Sequence, residues 1–126
     1  MRVASVDKGF VAAAPSKVFE VLASPGDYPR WWPGARTGHG DELRLPGMGR
    51  VGVRAQDARP GVELVFRLDG RRHGGRLQWY LEPFKEGTAV YGIVDLETER
   101  RWTARRARRI RAGIRGALVA LKGMLE

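Results

Sequence analysis

Read for the alternation of apolar and polar positions, the chain divides into a helix-bearing opening, a strand-rich middle and a helical end. Val3, Val6, Phe10 and Val11 stand among small residues in a spacing that predicts a first strand over residues 2–12. Pro15 then opens a helix, because proline suits a first helical turn whose N–H groups have no partner in any case. Within PSKVFEVLAS, Val18, Phe19 and Leu22 fall on one face. Pro25 and Gly26 end that helix, and GDYPRWWPGAR, fenced by Pro29 and Pro33, reads as a short turn or helix.

From about residue 36 to residue 97 the period changes to two. Val62, Leu64, Phe66 and Leu68 alternate with Glu63, Val65, Arg67 and Asp69, and Leu77, Trp79 and Leu81 alternate with Arg76, Gln78, Tyr80 and Glu82. TAVYGIVDLE is a further strand whose two parities are both apolar enough to leave its facing open. LPGMG at 45–49, RPG at 59–61, DGRRHGG at 69–75 and KEG at 85–87 supply the turns, so the middle reads as an antiparallel meander. The end reads as one helix: at about 100° per residue, Ala107, Ile110, Ile114, Ala117, Leu118, Leu121, Met124 and Leu125 share an arc, with Arg101, Arg105, Arg108, Arg109 and Arg115 opposite. Gly113 and Gly116 each weaken that helix by about 1 kcal/mol relative to alanine, so packing must hold it.

The order predicts an α+β domain over residues 1–126: a curved antiparallel sheet wrapped around a long C-terminal helix, with short helices between the first two strands. A helix of about 35 Å can cover such a sheet, and a cavity between them is the natural consequence. Chain length supports one core. The absence of cysteine excludes disulfides, thiolate metal sites and cysteine nucleophiles. No stretch approaches the roughly 20 apolar residues of a membrane span and the N-terminus lacks the apolar run of a signal peptide, so the expected location is cytoplasmic.

Charge changes the picture in one place only. Eight arginines lie between Arg100 and Arg115 with no acid among them, and taking those eight from the net charge of +9 leaves +1. This run reads first as a solvated helix face and second as a weak polyanion-binding surface. No aromatic is interleaved after Trp102, so specific nucleic-acid binding is not expected.

The opening residues carry a resemblance. Ala14, Pro15, Val18, Phe19, Leu22, Tyr28, Pro29, Trp31, Trp32 and Pro33 resemble the start of START-like domains of the SRPBCC superfamily, the polyketide cyclase/dehydrase group, and Trp79, Pro83 and Gly87 echo it later. The resemblance implies a helix-grip fold holding a lipid, polyketide or other hydrophobic small molecule between sheet and helix. Members of that group include carriers and aromatase/cyclases, so it does not fix function.

The expected pocket lining is Trp31, Trp32, Val53, Leu64, Phe66, Leu77, Trp79, Tyr91, Arg106, Ile110 and Ile114. His39 and His73 sit in glycine-flanked stretches and read as exposed turn residues; with Asp41 and Glu42 they offer no metal-ligand spacing. No serine stands in a nucleophile elbow and no phosphate-loop motif is present, so neither catalytic residues nor a cofactor are expected. An apolar pocket with few polar groups favours binding a hydrophobic small molecule over chemistry. A polyketide aromatase/cyclase-like enzyme is the alternative, and an arginine-helix interaction module with a vestigial pocket is the second.

Overall fold

Alternation in the middle of the chain becomes a single sheet in the computed structural model, which describes residues 1–99 and 102–126. Its strands are β1 (Arg2–Val11), β2 (Arg36–Thr37), β3 (Glu42–Leu45), β4 (Gly49–Arg59), β5 (Glu63–Gly70), β6 (His73–Phe84) and β7 (Gly87–Thr98). All pair antiparallel in the spatial order β1-β7-β6-β5-β4-β3-β2. Strands β2 to β7 form a meander, and β1 returns beside β7, with Arg2 opposite Glu97 and Val11 opposite Thr88. Helix α1 (Pro15–Leu22) and a 3-10 segment (Pro25–Arg30) join β1 to β2, and α2 (Ala104–Leu125) closes the order. This is the helix-grip arrangement that the hydrophobic pattern predicts.

Parity decides what the sheet buries. Leu64, Phe66 and Leu68 on β5 and Leu77, Trp79 and Leu81 on β6 are buried, while Arg67, Asp69, Arg76 and Glu82 are exposed. On β7 the buried set is Val90, Gly92, Val94 and Leu96, which stand opposite Leu81, Trp79, Leu77 and Gly75 of β6. Not every apolar residue of β1 joins them. Val3 and Val11 are buried, but Val6 is 67% exposed and Phe10 sits on the outer face against Phe84, ring centroids 5.9 Å apart.

Helix α2 lies across the inner face on Ala107, Ile110, Ile114, Ala117, Leu118 and Leu121. Thr103 caps it, its hydroxyl oxygen accepting from the Arg106 N–H at 3.2 Å. Glycines let the chain approach closely on two sides. A Cβ on Gly92 would lie 2.9 Å from the Ile114 Cγ2, and one on Gly113 would lie 2.8 Å from the Pro46 Cβ. Gly113 is therefore a contact as well as a propensity cost: α2 is held between β7 and the loop joining β3 to β4. Arg105, Arg108, Arg109, Arg111 and Arg115 are exposed, with Arg115 beside Asp7 at 3.6 Å. Met124 is 45% exposed, so the fully covered stripe ends at Leu121. Arg100 and Arg101, the start of the arginine run, lie outside the described residues.

The 3-10 segment is fastened by a buried polar chain. Tyr28 donates its hydroxyl to the Leu22 carbonyl at 2.5 Å and accepts the Trp79 indole N–H at 3.1 Å. Burial raises the Tyr28 phenol well above its usual range, so it acts only as a neutral donor and acceptor.

Candidate functional site

At the N-terminal end of α2 the grip opens into a cleft of about 610 Å³, lined by Met48, Gly49, Arg50, Arg71, Arg72, His73, Trp102, Thr103 and Arg106. Three pieces of chain far apart in sequence meet there: the loop before β4, the turn from β5 to β6, and the entry to α2. Gly47 adopts φ +76°, the left-handed region that favours glycine, and a Cβ there would lie 2.6 Å from the Ile110 Cγ1 and 2.7 Å from its backbone nitrogen. The loop thus rests directly on the helix and turns Met48, 1% exposed, into both the cleft floor and part of the core.

Arg106 clasps that loop. Its Nε donates to the Gly47 carbonyl at 2.7 Å and an Nη to the Met48 carbonyl at 3.2 Å. The guanidinium stacks on Trp102, with Cζ 3.8 Å from the ring centroid. Burial and the nearby Arg109 lower its pKa, yet a guanidinium keeps its proton across the physiological range. Arg106 is therefore a fixed positive charge in the cleft wall.

His73 stands beside it. The imidazole meets the Trp102 ring edge-on, centroids 4.9 Å apart, and its Nε2 is buried without a hydrogen-bond partner among the described residues. Burial first, then the Arg106 charge, lower its pKa below the ordinary 6.5, against a backbone hydrogen bond with Met48. The ring is neutral at physiological pH. The expectation of an exposed turn histidine holds for His39 but not for His73, because Trp102 and Gly70 pack around the latter.

That environment fixes a pH dependence. The unfolded chain takes up the His73 proton first as pH falls, so stability present above about pH 6.5 is lost below it. Urea midpoints measured between about pH 7.5 and about pH 5.5 should fall further for the wild type than for His73→Gln. Equal losses would show that His73 does not drive the effect.

The expected lining residues do not all meet. Trp32, Val53, Leu64, Phe66, Leu77, Trp79, Ile110 and Ile114 come together on the inner face, all 6% exposed or less. They pack as core. Trp32 lies 5.6 Å from Tyr28 and 6.0 Å from Trp79, and Tyr28 lies 6.5 Å from Phe66, so rings occupy the space beneath the 3-10 segment. Trp31 stacks on Trp32 at 6.2 Å and meets Tyr28 edge-on at 5.3 Å, and its half-buried ring lines a separate recess of about 310 Å³ with Val21 and Met124. Tyr91 is on the outer face: Val90 and Gly92 point inward, so Tyr91 turns out against Tyr80, its hydroxyl donating to Glu82 at 3.4 Å. Of the eleven, Arg106 alone lines the cleft. Met48, Arg50, Arg71 and Arg72 carry no periodic signal in the sequence, because they lie in turns or at a strand's start, and His73 reads there only as a turn residue. The RRH within DGRRHGG was the available signal.

Residues 4–126 match a model of the family described as polyketide cyclase/dehydrase and lipid transport. Among curated proteins the comparison finds no match. Solved structures resemble the fold over nearly its whole length. The Zhui aromatase/cyclase from Streptomyces sp. R1128 has a TM-score of 0.77 at 17% identity, covering 99% of this chain and 94% of its own. The Aha1 dimer protein from Colwellia psychrerythraea has a TM-score of 0.72 at 18% identity, covering 98% and 96%. A START superfamily protein from Mycobacterium smegmatis has a TM-score of 0.65 at 17% identity, also covering 98% and 96%. At these identities the likeness is one of fold.

Proposed function

This chain belongs to the polyketide cyclase/dehydrase and lipid transport family, and from that premise we propose that it binds and carries a small, largely apolar organic molecule admitted at the cleft beside α2. The observation that supports this most is the cleft itself. Its volume of about 610 Å³ falls in the usual range of small-molecule sites, and two of its lining residues, Met48 and Trp102, belong to the core. No helix of the described residues is long and apolar enough to cross a membrane, so a carried molecule would be shielded by the grip alone.

Native mass spectrometry of freshly purified protein should show a bound species that organic extraction releases. Failing a retained ligand, medium-chain apolar compounds should raise the melting temperature, because a ligand that binds only the folded state stabilises it by mass action. The absence of both a retained species and any such shift would remove the carrier reading.

A second reading has one observation in its favour. A neutral imidazole lines the cleft beside a fixed cation, an arrangement that could move a proton while Arg106 stabilises developing negative charge. Mass analysis of a bound ligand before and after incubation separates the two. An unchanged mass favours carriage, and loss of one water dependent on His73 favours dehydrative chemistry.

A further inference from the structure

We propose that the cleft selects molecules with an oxyanion at one end, a carboxylate or a phosphate, and an apolar body. This rests on the binding reading and names the ligand class for the same site. Arg50, Arg71, Arg72 and Arg106 line the cleft, and no aspartate or glutamate is among its lining residues. Six arginines outside the cleft, Arg2, Arg30, Arg54, Arg59, Arg67 and Arg115, each stand within 4.0 Å of a carboxylate. Seven others outside it, Arg105, Arg108 and Arg111 among them, have no such partner among the described residues, but those seven do not share a cleft. Among the described residues none of the four cleft arginines has such a partner. Glu97 and Glu99 do not line the cleft; they border the neighbouring recess across the 71–73 turn, which Arg71 and Arg72 share.

Four like charges in one concave, partly desolvated space repel one another, and an anion entering it relieves that repulsion. The geometry divides the work. Arg106 is pinned by two carbonyls and a ring and cannot swing to meet a ligand. Arg50, Arg71 and Arg72 are exposed and can close on an oxyanion as paired N–H donors. The unpartnered Nε2 of His73 lies in the same wall. Met48 and Trp102, almost wholly buried, close the cleft beneath and beside this charge, so a head group held by the arginines leaves its chain toward the cleft floor. A solvated polyanion face needs no such floor. The exposed arginines of α2 outside the cleft, Arg105, Arg108 and Arg111, have none.

The test is titration calorimetry of the full chain at low salt with decanoate, decyl phosphate and decanol, each below its micellar concentration. Decanoate or decyl phosphate should bind at least tenfold more tightly than decanol, and the margin should shrink as salt rises. The arm that binds more tightly distinguishes carboxylate from phosphate. The Arg50→Gln/Arg71→Gln/Arg72→Gln variant should bring the anion to within about twofold of decanol, whereas Arg105→Gln/Arg108→Gln/Arg111→Gln should keep the full margin. Equal affinity of anion and alcohol in the wild type would overturn this inference and leave the carrier reading standing. Binding of none of the three would remove both. A duplex oligonucleotide that displaces decanoate, and loses its own hold in the cleft variant, would assign these arginines to a polyanion and overturn the proposal.

Discussion

Ile114→Asp is expected to yield a chain that does not fold. Ile114 is fully buried in the middle of α2, over Gly92 of β7 and close to Trp79. The substitution forfeits about 2–3 kcal/mol of apolar burial. It also places a carboxylate where no cation faces it, at a cost of several kcal/mol whether the group stays charged or takes up a proton. The sum approaches the 5–15 kcal/mol by which a domain of this kind is stable. Circular dichroism should show no cooperative melting transition, and the protein should collect in the insoluble fraction. Ile114→Val is the control: it removes one methylene, costs about 1 kcal/mol and should melt cooperatively. A soluble Ile114→Asp variant with a sharp transition would mean that α2 is not part of the core.

Gly47→Val has the second largest expected effect, and its reason is backbone. A valine at φ +76° is strained by about 1–2 kcal/mol before any contact is considered. Its Cβ would press on the Ile110 backbone nitrogen and the Arg106 carbonyl oxygen, which cannot rotate aside as a side chain can. The loop must lift, and the Arg106 hydrogen bond to the Gly47 carbonyl is lost with it. A destabilisation of roughly 3–5 kcal/mol follows, which differential scanning calorimetry should read as a fall in Tm of roughly 10–20 °C. Ligand binding should suffer beyond the loss of stability, because Met48 moves with the loop. Gly116→Ala gives the opposite sign: nothing lies within 4 Å of its Cβ position, so helix propensity should raise stability by about 0.5–1 kcal/mol. A Gly47→Val protein as stable as the wild type would show that the loop does not rest on the helix.

The fold was legible in the chain because it depends on period. Strands β5 and β6 alternate cleanly, and α2 carries an apolar stripe at helical spacing, so order and facing could be read without contacts. β7 could not be oriented that way. Val90, Val94 and Leu96 on one parity compete with Tyr91 and Ile93 on the other, and what decides between them is Gly92, whose bare backbone makes room for Ile114 and Trp79. The site was less legible still. Gly47 and Arg106 are 59 residues apart, and nothing local in LPGMG or in the arginine run reports that one clasps the other. The interior misled in a third way. A curved sheet and one helix leave room in principle, but the rings of Tyr28, Trp32, Phe66 and Trp79 occupy it, and the opening lies at the helix end.

The pairing of β1 with β7 has a consequence in time. Arg2 meets Glu97 and Val6 meets Ile93, so the first strand synthesised cannot find its neighbour until the last strand exists. Closing a loop of this length adds only a few kcal/mol of entropy, but contacts so distant in sequence slow folding. While the ribosome works, the inner face of β1 and β7, on which α2 packs, must wait uncovered, since α2 emerges after every strand. The stretch of β7 that meets Ile114 at Gly92 and the stretch of β1 that meets Leu118 at Gly9 therefore stay open to other chains until α2 arrives, a vulnerability to aggregation in the nascent state that the finished protein no longer shows.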